Sequence, residues 1–126
     1  MLQQDLLNPL GMKDSSYTAE AIEAAPNHAN GHRWTPEGSI EAPFTPIFPY
    51  HLGGAGDINT NVDDMARWVR FQLGNGTFEG RRIVSPENLA YTRRPIVAAT
   101  DQASYAQGWY VFPTPGATSF GTTETR

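Results

Sequence analysis

Glycine and proline interrupt this chain so often that its helices and strands must be short and joined by long irregular connections: 12 of the 126 residues are Gly and 10 are Pro. The clearest regular element lies in GGAGDINTNVDDMARWVRFQLGNG, residues 53–76, where a glycine cluster precedes one well-capped helix. Asn61 or Thr60 can serve as its N-cap, and Asp63 and Asp64 fall in the positively polarised first turn. Val62, Met65, Ala66, Val69 and Leu73 recur at helical spacing on one apolar face, with Arg67 and Arg70 on a solvated side. Gly74-Asn75-Gly76 ends the helix.

Elsewhere the periodic segments are shorter. MLQQDLL carries leucines at helical spacing and stops at Asn8-Pro9, since proline disfavours a helical residue before it. A sequence that opens in mid-helix leads us to expect a piece of a longer fold. Thr18 caps a short helix that Pro26 closes. Residues 27–56 show no period of 2 or 3.6 and read as a long loop, in which Phe44, Phe48 and Tyr50 favour an ordered, packed course. Ile83-Val84 is a short apolar step, and Ser85-Pro86-Glu87 opens a second helix with a cap, a proline at the first position and an acid in the first turn. YAQGWYVF, residues 105–112, reads as one strand, and residues 113–126 as a polar, patternless tail. No repeat and no linker divides the chain, and its length suits one ordinary core.

Charge and composition exclude several classes. The formal net charge is -4, Lys13 is the single lysine, and the arginines form no clustered basic face, which argues against nucleic acid. No apolar run approaches the length of a membrane span. With no cysteine there are no disulfides and no thiolate chemistry.

The familiar chemical motifs are also missing. Gly53-Gly54-Ala55-Gly56 has no lysine beside it, and Asp57 would repel an anion, so the cluster reads as a bend rather than a phosphate cradle. His28 and His32 are four apart, as zinc ligands are on a helix, but Asn30 and Gly31 oppose helix and the glutamate base is absent. We therefore assign no metal and no cofactor. A zinc hydrolase built on these two histidines is a rival that metal analysis would test. No G-x-S-x-G elbow is present, and the only lysine follows Leu10 rather than a serine at the S-x-x-K spacing. No residue is assigned as catalytic.

Taken in order, NPLGMKDSSY, NHANGHR, GGAGDINTNVDDMARWVRFQLGNGTFEGRRIVSPENL and YAQGWYVF resemble the serine β-lactamase-related family, which includes class C β-lactamases, D-alanyl-D-alanine carboxypeptidases and related esterases. The resemblance implies an α+β fold, a fragment of the serine β-lactamase and penicillin-binding transpeptidase-like architecture. It leads us to expect mostly helices and long loops with one strand near the C-terminus, and residues 1–126 as one partial domain whose last residues, from about 113, match poorly. It implies acyl transfer on a small-molecule or peptide-like substrate in the intact protein, by a serine in S-x-x-K, a tyrosine in Tyr-x-Asn and a Lys/His-x-Gly strand. This sequence contains neither of the first two, and His51-Leu52-Gly53 carries the letters of the third in the wrong place. Where class C enzymes have a Tyr-Ala-x-Gly-Tyr pocket loop, this chain has His28-Ala29-Asn30-Gly31-His32, which makes His28 the one substrate-binding candidate. The alternative is a non-catalytic binding module on the same scaffold, using residues 44–50. As a piece of a larger fold, the chain is expected to leave Val62, Met65, Trp109 and Val111 uncovered.

Overall fold

The computed structural model describes residues 1–42, 56–114 and 117–121. The aromatic loop residues Phe44, Phe48 and Tyr50, with His51 and the first glycines of the cluster, lie outside them. In chain order the elements are a π-helical turn Gln3–Leu7, α1 (Asn8–Leu10), α2 (Ala19–Ala24), β1 (His32–Thr35), β2 (Gly38–Glu41), α3 (Val62–Leu73), β3 (Thr77–Phe78), β4 (Arg81–Arg82), α4 (Pro86–Thr92), β5 (Val97–Thr100), β6 (Ala103–Tyr105), β7 (Tyr110–Thr114) and β8 (Ala117–Gly121). They fall into two compact units, Gly11–Ala66 on the one hand and Met1–Leu10 with Arg67–Arg126 on the other, so the division runs through α3.

Local capping follows the sequence closely. Thr18 accepts from the Ala21 amide at 3.2 Å and Ser85 from the Asn88 amide at 3.2 Å. Of the two candidates at α3, Asn61 is the cap, its Oδ1 accepting from the Asp64 amide at 2.8 Å. In the first turn of α4, hydrogen bonds from its own backbone and from Ser85 hold the Glu87 carboxyl below the usual carboxylate range. The N-terminal helix continues past Asn8-Pro9 to Leu10 and ends at Gly11, whose φ is 68°. There the Asn8 amide bonds to the Gln3 carbonyl five residues back, and this wider turn precedes the proline.

Strand content exceeds the expectation of one C-terminal strand. In the unit Met1–Leu10 with Arg67–Arg126, an antiparallel sheet runs β5-β6-β7-β8. YAQGWYVF is two strands rather than one, folded at Gln107-Gly108, where the Ala106 amide bonds to the Trp109 carbonyl at 2.8 Å and Gly108 takes a φ of 79°. A second hairpin, β3-β4, turns at Glu79-Gly80, both at positive φ. The loop expected across residues 27–56 contains the hairpin β1-β2, closed by Pro36-Glu37. Its residues are largely exposed, so it needs no alternation of apolar side chains to form.

On α3 the exposure expected of Val62 and Met65 is observed, and it extends along the whole aliphatic face. The aliphatic face of Val62, Met65, Val69 and Leu73 is exposed, Val62 to 81% and Leu73 to 79%, while Phe71 on the opposite side is 1% exposed. Trp68 packs its ring 5.4 Å from that of Phe71. Phe71 joins Leu7, Leu10, Phe78, Leu89, Ala103, Ala106 and Val111 among the buried residues of its unit. Val111, expected to lie uncovered, is therefore interior, and Trp109 is half-buried. Arg93 ties the unit together: its guanidinium donates to the Gln72 backbone carbonyl at 3.2 Å and to the Gln72 side-chain carbonyl, and lies 5.6 Å above the Trp109 ring. Desolvation lowers its pKa.

The two sides of α3 make opposite predictions for truncation. Phe71→Ala removes a filled core position and should cost about 3–5 kcal/mol, whereas Leu73→Ala should cost less than about 0.5 kcal/mol. Urea denaturation followed by tryptophan fluorescence measures both; equal losses would contradict the orientation described.

Candidate functional site

Within Gly11–Ala66 the most ordered chemistry is a polar cluster around Asp64. This carboxylate is 3% exposed. Its Oδ2 accepts from the Asp14 amide at 2.9 Å and from the Ser15 hydroxyl at 2.8 Å. The Ser15 hydroxyl also meets that of Thr60 at 2.8 Å, and Asn61 donates to the Asp14 carboxylate at 3.3 Å. Ser16 and Asn59 exchange backbone hydrogen bonds at 2.9 and 2.8 Å. Burying an anion is costly, and here two donors and the positive end of α3 offset the cost. The geometry is that of a fastener. Ser15 spends its proton on the Asp64 carboxylate and lies beside the Thr60 hydroxyl, so it acts as a tie between the segment after Gly11 and the start of α3.

The sequence reading passed over these residues. The signal was there in two runs of cap-forming residues, Asp14-Ser15-Ser16 and Asn59-Thr60-Asn61, but nothing local says that they pair with each other.

His28 sits in the turn after α2 and is half-buried. Its Nδ1 lies 2.8 Å from the Ala25 carbonyl, an acceptor, so Nδ1 carries the proton and donates it. In the neutral ring that leaves Nε2 as an acceptor. His32 is exposed, with Nδ1 3.1 Å from the Asn30 carbonyl. The loop between them is tied to the end of β2 twice: Asn30 donates to the Glu41 carboxylate at 2.6 Å, and the Ala42 amide bonds to the Gly31 carbonyl at 2.8 Å. Each histidine thus spends one ring nitrogen on nearby backbone. Among the described residues, no group of three or more His, Asp or Glu side chains is gathered to hold a metal. His51-Leu52-Gly53 lies outside the described residues.

Asp64→Ala should cost about 2–4 kcal/mol, because it strands the buried Ser15 hydroxyl and the part-buried Asp14 amide, and Asp64→Asn, which keeps an oxygen, should cost less. Denaturation of both variants checks the order; an Asn variant as damaged as the Ala variant would show that the charge, rather than the acceptor, is what matters.

Comparisons with known proteins agree with the sequence reading. The solved structure of an octameric penicillin-binding protein homologue from Pyrococcus abyssi superposes with a TM-score of 0.68 at 22% identity, covering 89% of this chain and 24% of that one. At that identity the likeness establishes the fold, a penicillin-binding-protein-like α+β architecture. Two Mycobacterium tuberculosis proteins, Protein Rv1367c of strain H37Rv and the uncharacterized protein MT1414 of strain CDC 1551, are each 28% identical over 97 residues, 74% of this chain. The chain spans about a quarter of the length of these curated relatives, 24% in each case. No described helix is long and apolar enough to cross a membrane. The Beta-lactamase family matches residues 1–123, nearly the whole sequence, and the chain belongs to that family.

Proposed function

We propose that the intact protein is a serine hydrolase that opens an ester, amide or peptide-like bond through an acyl-enzyme, and that residues 1–126 form a partial domain supplying framework and one pocket wall. The observation that carries this is a family match over residues 1–123 in a sequence without S-x-x-K or Tyr-x-Asn. Acyl transfer needs a serine whose proton is taken by a neighbouring base and donors aimed at the developing oxyanion. Without those groups this segment contributes shape rather than reaction. His28 is its contact to substrate: with Nδ1 fixed, Nε2 accepts a hydrogen bond from an amide or hydroxyl of the bound molecule. Histidine in place of both pocket-loop tyrosines favours an ester or peptide over a β-lactam.

Two measurements test this. The purified chain, incubated with a fluorescent penicillin and with p-nitrophenyl acetate, should show no covalent adduct by intact mass and no release above that of the unfolded chain; a serine-linked acyl group would overturn the proposal. In a full-length enzyme carrying this segment, His28→Ala should raise KM by about three- to tenfold with kcat little changed, the signature of lost uniform binding. Unchanged KM would remove His28 from the pocket. The other reading, a non-catalytic interaction module, draws on Trp34, 83% exposed on β1; a chain that binds a partner and is inert in every full-length context would favour it.

A further inference from the structure

Asparagine precedes glycine twice in this chain, at Asn30-Gly31 and at Asn75-Gly76, and the fold treats the two pairs oppositely. An asparagine followed by glycine is prone to attack by the next backbone nitrogen on its own side-chain amide, because glycine has no Cβ to obstruct the approach. At residues 75–76 the turn after α3 both requires the glycine and protects the pair. Gly76 is buried with a φ of 83°, a Cβ there would collide with the Val84 carbonyl oxygen, and its amide is engaged with the Phe71 carbonyl at 3.2 Å. At residues 30–31 none of this holds. Gly31 is exposed and outside the left-handed region, a Cβ on it would meet the Ala42 Cβ at an ordinary 3.9 Å, and its amide donates to no described residue. The backbone there does not call for glycine, yet the asparagine before it carries a tie: Asn30 Nδ2 donates to Glu41 Oε1 at 2.6 Å. A carboxylate only accepts, so the nitrogen of the amide is the atom that must face Glu41.

We propose that Asn30-Gly31 is a covalent modification site, at which the chain converts the Asn30 amide to a carboxylate with water as the only co-reactant and so unfastens the loop between His28 and His32 from β2. The Gly31 backbone nitrogen, giving up its proton, forms a bond to Asn30 Cγ. The Cγ–Nδ2 bond breaks, and ammonia leaves with that proton. Water then opens the resulting five-membered imide at one of its two carbonyls, yielding either aspartate or an isoaspartate whose main chain runs through Cβ and Cγ. The sum is an amide plus water giving an acid plus ammonia, with no change of oxidation state. In both products an anion stands opposite Glu41 where a donor stood before, and like charges in contact repel. The isoaspartate also lengthens the main chain beside Gly31, whose carbonyl holds the Ala42 amide at 2.8 Å, and so loosens the second tie of the loop.

The test ages the purified chain in mildly alkaline buffer and maps its peptides by mass and by isoaspartate content. The peptide with residues 30–31 should convert about tenfold faster than the one with residues 75–76, the factor set by opening one backbone hydrogen bond. Gly31→Ala should abolish conversion at Asn30 while leaving the thermal transition unchanged. Equal rates at the two pairs, faster conversion at Asn75, or no conversion at either would overturn the site. The effect on the loop is read separately, from hydrogen exchange at the Ala42 amide. Asn30→Asp should speed that exchange about tenfold, and adding Glu41→Gln should restore it, because the amide now donates from the other side of the pair. Exchange unmoved by N30D, or no rescue in N30D/E41Q, would show that the Asn30–Glu41 bond does not hold the loop.

Discussion

A buried carboxylate at the start of α3 fastens the segment after Gly11 to that helix. Asp64 belongs to the first helical turn, where unpaired amides and the helix dipole favour an anion, and it spends one oxygen on two donors from residues 14 and 15. The segment after Gly11 is thereby registered to the helix by hydrogen bonds rather than by apolar contact, and the buried set of Gly11–Ala66 accordingly includes Ser15, Asp57 and Asp64 beside Met12. The other end of the same helix mirrors this. There the Arg93 guanidinium donates to the Gln72 carbonyl, placing a cation at the negative end of the dipole. An anion at one end and a cation at the other suit α3 electrostatically, and both are held by hydrogen bonds that alanine could not replace.

This explains why the interior side of α3 was illegible in the sequence. Periodicity counts apolar residues, and four aliphatic side chains at regular spacing outvote Phe71 and Trp68, which share their side with polar Asp64 and Gln72. The polar members face inward because each has found a partner, which is a tertiary fact. Caps were legible for the opposite reason: Thr18, Asn61 and Ser85 satisfy amides three residues away, so the sequence window contains both donor and acceptor. The hairpins fall between these cases. Gln107-Gly108 and Glu79-Gly80 provide the glycine a tight turn needs but not the Asn or Asp that usually precedes it, and the strands of β1-β2 bury too little to alternate.

The family was more legible than the site. Ordered motifs spread over most of the chain identify an architecture even when no reacting group lies among them, because framework sequence is constrained by packing at many positions. The match to residues 1–123 and the superposition on a penicillin-binding protein homologue are consistent with that. The proposed pocket wall leaves a weaker signal, two histidines in a loop, and only the fold shows that Ala25 orients the ring of His28 and that Glu41 and Ala42 hold the loop on either side of Gly31.

Those ties bear on how such a wall would work. A surface histidine on a free loop loses rotational and backbone freedom when it meets a ligand, and that loss subtracts from binding. Here the ring is oriented by the Ala25 carbonyl before any ligand arrives, and the loop is closed by a backbone bond and by the Asn30–Glu41 contact. One imidazole nitrogen is consumed in the process, so the ring meets a ligand through Nε2 and from one direction. A ring held this way presents Nε2 in one direction, which would suit a positioning contact that discriminates by where a substrate carries its N–H or O–H.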